Sequence, residues 1–207
     1  MNAKLNIQSK HKENRFFCVR NIRFLLTLLV MLTAGSSGLR AETVTYLILN
    51  NTFSRNATQI TSTTTTIAAG SLDSYYYVSD DVTISGDLTI TGGSSSYAHI
   101  IICDDAKLTI TGKIICSSTL AFYSQSSGSN SGQLIVNSTD DNAISAYALA
   151  FNGCNMLLEH GGITTSDYIR IMNGQFTADR ISCTSFQPSY CYSTDFFKVN
   201  HWERYTC

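Results

Sequence analysis

Three pairs of adjacent carboxylates are the residues of this 207-residue chain best suited by type to catalysis: Asp80–Asp81, Asp104–Asp105 and Asp140–Asp141. Cleaving a glycosidic bond needs two carboxyl groups facing each other across the substrate, roughly 5 to 9.5 Å apart. Neighbouring residues of a strand point to opposite faces, so an adjacent pair meets that need only at a corner. Aspartate is common at corners for a plainer reason, because its side chain folds onto the local backbone and closes turns. Turn formation is therefore the expectation for all three pairs, and no catalytic residue is assigned. Calcium is the one ion such corners could hold, with help from backbone carbonyls, but the spaced acidic loop that usually binds it is absent. His99 and His201 stand alone, and neither His-x-x-x-His nor Cys-x-x-Cys spacing occurs. The sequence thus gives no reason to expect zinc or any other cofactor.

Tyrosine offers a different chemistry. Tyr76, Tyr97, Tyr123, Tyr147, Tyr168 and Tyr190 recur at a nearly even spacing along the chain. Sugars present apolar C–H faces that stack on aromatic rings, and the phenol adds a hydrogen-bonding group. Tyr97, Tyr123, Tyr147 and Tyr168 are the candidate ligand-binding residues on this ground, and a polysaccharide or cell-surface glycan is the expected partner. The same spacing would arise if the rings stacked coil on coil for stability alone. Their phases differ, since Tyr97 precedes its strand and Tyr123 ends one.

The elements that position these residues are short strands. VTISG (82–86), LTITG (88–92) and LTITG (108–112) repeat one phrase, with apolar residues two apart and a glycine at the end. That is the period of a half-buried strand closed by a corner. The two LTITG copies begin at Leu88 and Leu108, while LAFNG (149–153) and RIMNG (170–174) end at Gly153 and Gly174. A strand-turn unit with a period of roughly 20–22 positions reads as a solenoid whose units bury their apolar sides only by stacking. Ile110 is expected to stack on Ile90, one coil earlier. YYYVS, HIIICD, KIICSS, LAFYSQ and QLIVNS continue the pattern between Gly, Asn, Asp and Ser corners. Continuous apolar runs such as Ile100–Cys103 suggest strands covered on both sides for part of their length.

Composition agrees: one proline, 14% charged residues and 43% hydrophobic residues suit one all-β domain better than solvated helices. Residues 1–41 hold seven Lys and Arg against Glu13, whereas residues 42–207 hold seven against fourteen Asp and Glu. An acidic body of this kind is not suited to neutralising phosphates, so nucleic acid is set aside as a partner.

Along the chain, a basic leader is followed by the apolar run Phe24–Ala34 and small residues, which reads as a secretory signal peptide over 1–41 with cleavage after Ala41. The run is too short to span a bilayer. Secretion, or delivery to the cell envelope or surface, is expected. Residues 42–71 hold a first strand at 43–49 and a polar Asn/Thr-rich tract, which reads equally as a loose coil, a stalk or a wet strand. Residues 72–184 make up the parallel β-helix, with room for about five coils. Residues 185–207 lose the repeat phrase, and read as a cap or as the point where the solenoid is cut short. Of the six cysteines after the leader, Cys103, Cys116 and Cys154 lie in apolar runs and are expected as buried thiols. A Cys183–Cys191 disulfide could pin the tail to the last coil, although sequence alone selects no connectivity.

The succession YYYVSDDVTISGDLTITGG, HIIICDDAKLTITG, KIICSS and TLAFYSQ resembles the right-handed parallel β-helix proteins secreted by bacteria, in particular adhesin-like members described as carrying carbohydrate-binding domains. The resemblance implies a three-sided coil of parallel strands, exported to the envelope or cell surface, and the first reading is a non-enzymatic surface or secreted β-helix that binds carbohydrate. It leaves two alternatives: a structural spacer or adhesin fragment without a ligand, and a polysaccharide-degrading lyase or hydrolase. His160 and Arg170, in EHGG and YIRI, are similar in kind to residues of pectin-cleaving hydrolases of this fold. They lie closer together than in those enzymes, and the acidic motif that should accompany them is not found in order.

Overall fold

The computed structural model describes residues 41–71, 74–158, 160–189 and 197–204. The expected leader, Tyr190, Cys191 and Cys207 lie outside the described residues. Among those described, every regular element is a strand.

The chain opens with an antiparallel hairpin of β1 (Ala41–Ile48) and β2 (Asn51–Gln59). From β2 onward the strands pair in parallel and rotate through three faces. The first face stacks β4 (Tyr75–Val78), β7 (Tyr97–Ile102), β10 (Thr119–Ser124), β13 (Ala148–Asn152), β16 (Tyr168–Met172) and β18 (Ser185–Ser189) onto β2. The second stacks β5 (Val82–Ile84), β8 (Lys107–Ile110), β11 (Gln133–Val136) and β14 (Asn155–Leu158). The third stacks β3 (Thr66–Ala68), β6 (Leu88–Thr91), β9 (Ile114–Cys116), β12 (Ile144–Ala146) and β15 (Gly162–Thr165). The long β17 (Phe176–Cys183) turns the corner between the last two faces, pairing with β14 through Phe176 and with β15 through Ile181. β19 (Phe197–Arg204) lies on β17. Five complete turns, from β4–β6 to β16–β17, make the parallel β-helix expected from the sequence.

Strand alternation builds the core. Inward positions such as Ile84, Leu88, Ile90, Ile100, Leu108, Ile110, Phe122 and Phe151 are all buried, while the threonines between them point outward. Aromatic rings stack along the interior, with Phe122 on Phe151 at 5.4 Å and 10°, and Phe151 edge-on to Phe176 at 5.2 Å. Each coil fills the open apolar end of the previous one, which is why no single unit would be stable alone.

The register differs from the one the repeat phrases suggest. VTISG of β5 lies under LTITG of β8, with Ile84 opposite Ile110, whereas LTITG of β6 lies under β9, with Ile90 opposite Cys116. The identical phrases are thus on different faces of the helix and do not stack as successive coils. Nor is the coil length constant. Thr119 pairs with Ala148 across a turn swollen by loops 125–132 and 137–143, while Tyr168 pairs with Ser185 across a much shorter one. Corner loops tolerate insertion as long as the stacked strands stay in register.

The polar tract after Ile48 forms β2, an extended strand whose first six residues are exposed. At the other end the repeat phrase stops but strand stacking does not: β18 joins the first face and β19 the sheet of the other two. Among the described residues β18 is the last strand of its face and pairs with β16, and such an end position accommodates Pro188, which has no N–H.

Candidate functional site

The outward positions of the first face form three columns running from coil to coil. One contains Tyr97, Thr119 and Ala148, with Tyr168 next along the face and then Ser185. The second contains Tyr75, His99, Ala121, Ala150 and Arg170. The third contains Tyr77, Ile101, Tyr123, Asn152 and Met172. Small side chains at Thr119, Ala121, Ala148 and Ala150 therefore separate an aromatic group on β4 and β7 from another on β16.

The third column is roofed by the hairpin. Val44, Tyr46 and Ala57 pack with Tyr77, Ile101, Ala121, Tyr123 and Ala150 in a second apolar cluster outside the helix. Tyr46 is the keystone: its ring is edge-on to Tyr123 at 4.8 Å, 5.7 Å from Tyr75 and 5.8 Å from Phe53. Its hydroxyl shares a hydrogen bond with that of Tyr75, 3.2 Å away, and Tyr77 donates its hydroxyl proton to Glu42 Oε2 at 3.1 Å. Burial on both sides explains the continuous apolar runs of β7 and β10, which read in the sequence as doubly covered strands. Burial also drives the phenol pKa values of Tyr46 and Tyr123 upward, since the phenolate loses its hydration there.

Beyond the hairpin's edge the aromatic residues come to the surface. His99 stacks on Tyr75 at 4.3 Å and 13°, and its ring is nearly parallel to that of Tyr97 at 6.2 Å. Nδ1 of His99 lies 3.1 Å from the Tyr123 hydroxyl. Tyr97 is 40% exposed, among the most exposed large apolar side chains of the described residues. Arg170 lies over the ring of Tyr168 at 5.3 Å, and Arg55 over that of Tyr75 at 5.8 Å. Tyr168 is half-buried, and its hydroxyl pKa is raised by burial, lowered by Arg170 and raised again by Tyr97, Asp167 and Tyr147 close by.

All four tyrosines singled out in the sequence thus reach this one side of the solenoid, but not as a single ladder. Tyr97 and Tyr168 share a column, Tyr123 stands at the far end of its strand in another, and Tyr147 sits at the corner just before β13. Tyr123, only 6% exposed, anchors the hairpin and offers no free ring face. Tyr76 points inward instead, its hydroxyl donating to the Ala68 carbonyl at 2.8 Å and accepting from the Ala68 N–H at 3.0 Å. The periodicity of tyrosine overlooked Tyr75, His99 and Arg170. Strand alternation carries the missing signal, because each of these stands two positions from a tyrosine, on the same side of its strand.

The paired carboxylates lie at three separate corners. Asp104 Oδ1 accepts from the Ser126 N–H at 3.0 Å, in the next coil, and Asp105 holds a left-handed φ of 61°. Asp140 pairs with Lys113 at 2.8 Å and Asp141 with Arg180 at 3.6 Å. Asp80 accepts from the Ser79 hydroxyl. These contacts close turns and tie one coil to the next. Among the described residues, no three His, Cys, Asp or Glu are grouped to hold a metal ion. His160 lies exposed at the corner between β14 and β15, whereas Arg170 is on the first face. Cys116 and Cys154 are buried free thiols, and Cys103 is half-buried. Cys183 is buried at the end of β17, and Cys191, with which the sequence allowed a disulfide, lies outside the described residues.

No protein family, no curated protein and no solved structure matches the chain, so its likeness to the parallel β-helix proteins is one of fold.

Proposed function

We propose that this protein is an exported, non-enzymatic β-helix of adhesin-like type that binds a glycan on the aromatic side of its first face. The observation that carries this reading is the placement of Tyr75, Tyr97 and His99, and across a strip of small side chains Tyr147, Tyr168 and Arg170, on one side of the solenoid beside the hairpin. On the other two faces, strands β3 to β17 turn no aromatic ring outward, their outward positions being Thr and Ser together with residues such as Lys107, Gln133, Ile135, Asn155 and Leu157. Rigid tyrosines held by β-strands lose little freedom on binding, which favours a ligand that presents C–H faces and hydroxyls. Export is supported by the basic leader and apolar run ahead of β1. Cleavage after Ala41 would remove only the first residue of β1.

The test is retention of the secreted chain on a broad panel of immobilised polysaccharides, compared with a Tyr97→Ala, Tyr168→Ala double variant. Retention of the native chain, lost in the variant at an unchanged melting temperature, is the expected outcome. A native chain that binds nothing would leave the spacer role. Release of shortened sugars from any polysaccharide would make it a degrading enzyme instead.

A further inference from the structure

Residues 42–207 carry fourteen Asp and Glu against seven Lys and Arg, yet the outward positions of the first face from β4 to β16 hold no carboxylate at all. They hold Arg170, and Arg55 of the hairpin reaches over Tyr75 in the same column. Acids stand at its edges: Glu42, which accepts a hydrogen bond from Tyr77 at 3.1 Å, Asp167 at the corner before β16, and Asp80 and Asp104 at the corners after β4 and β7. A strongly acidic chain has therefore kept carboxylates off the outward strand positions of this aromatic face and set the guanidinium groups of Arg170 and Arg55 there.

Resting on the glycan-binding reading above, we propose that the ligand is a polyanionic glycan, a polymer of carboxylate-bearing sugars. Arg170 would take a ligand carboxylate while Tyr168 and Tyr97 stack on sugar rings. A guanidinium presents five donors in a planar fork matched to a carboxylate, and its partly buried position against Tyr168 strengthens such a bond over one in open water. In the second column Arg170 and His99 are three strand spacings apart, roughly 14 Å at about 4.8 Å per strand. Arg55 and Tyr75 lie beyond His99. Cationic or donor groups recurring along the solenoid axis fit a chain that repeats its charge better than a glycan with one terminal acid. The overall negative charge of the body disfavours polyanions everywhere else, which confines them to this face.

The experiment uses two forms of one polymer, polygalacturonate and its fully methyl-esterified counterpart, which differ in charge and little else. The full secreted chain, its Arg170→Gln and Arg170→Lys variants and an Arg55→Gln variant are compared by affinity electrophoresis, with and without a chelator and at rising salt. Tighter retention on the charged polymer, weakened about tenfold by Arg170→Gln, less by Arg170→Lys and progressively by salt, is expected. Arg55 is exposed, so Arg55→Gln leaves the fold intact and should weaken retention more modestly. Equal retention of both polymers would overturn the polyanion while leaving the glycan site standing. Loss of retention on chelation would overturn it in favour of a metal bridge. No retention on either polymer, nor on any polysaccharide of the broader panel, would overturn both readings together.

Discussion

Ile110 stacks on Ile84, not on Ile90: the identical LTITG phrases occupy different faces, and the partner of the second is the VTISG phrase that precedes the first. Ile110 is fully buried between Ile84 below and Val136 above. Ile110→Asp places an unpaired carboxylate in that column, at a cost of several kcal/mol. A fall in the thermal midpoint large enough to abolish the cooperative transition, or nearly so, is expected by circular dichroism. The same change at Thr109, whose side chain faces outward, should move the midpoint little, and similar losses at the two sites would contradict this register.

The fold was legible because inward and outward residues alternate so regularly at Val82–Ile84, Leu88–Ile90 and Leu108–Ile110. Register was not legible for the same reason. Every face uses the same apolar-Thr-apolar code, so the code cannot tell a neighbouring face from a neighbouring coil. Only the inserted loops distinguish them, and these follow no period. The aromatic face was half legible. Tyr97, Tyr147 and Tyr168 announce themselves by spacing, but the roof over Tyr123 comes from Tyr46, far away in the chain, in a strand that reads by itself as an ordinary first strand. Tertiary covering of that kind leaves no trace in a local pattern.

Gly132 opens β11 where the backbone passes close to the preceding coil, and a Cβ added there would strike the carbonyl of Ile102. Backbone cannot yield as a flexible side chain can. Gly132→Ala should therefore cost about 2 kcal/mol or more. Gly93, whose added Cβ meets nothing within 4 Å, serves as the control and should stay within about 0.5 kcal/mol of the native chain. Urea denaturation of the two variants checks this, and equal midpoints would show that the coils do not approach as closely as described.

Cys103 carries a pH dependence that can be followed chemically. Burial first, then the negative charges of Asp104, Glu42 and Asp80, push its thiol from an ordinary 9.0 to about 11. The folded state thus holds this proton more tightly than the unfolded state. Its contribution to stability is complete below about pH 9 and is lost as pH rises toward 11. The phenols of Tyr46 and Tyr123, raised by burial, add the same sense at still higher pH. Alkylation of the native chain by iodoacetamide, read by peptide mass spectrometry, should be slow at Cys103 at about pH 8 and accelerate toward about pH 11. Fully buried Cys154 should stay unmodified until the chain unfolds. Rapid labelling of Cys103 at the lower pH would show that the hairpin does not cover this corner.

Tyr46 separates the hairpin's role from that of the helix beneath it. Its ring is 2% exposed and touches Phe53, Tyr75 and Tyr123, while its hydroxyl meets that of Tyr75. Tyr46→Phe keeps the rings together and removes one hydrogen bond, so a loss of about 1 kcal/mol is expected. Tyr46→Ala removes the keystone of the outer cluster and should cost about 3 kcal/mol or more, by analogy with other buried aromatics cut to alanine. The inner core does not include this residue, so the helix should stay folded while the hairpin lifts. Hydrogen exchange distinguishes the cases: amides of β1 and the first part of β2 should lose protection in Tyr46→Ala, while those of β8, β11 and β14 keep theirs. Uniform loss of protection across the whole chain would mean that hairpin and helix unfold as one unit, and that the roof over Tyr123 is part of the fold's foundation.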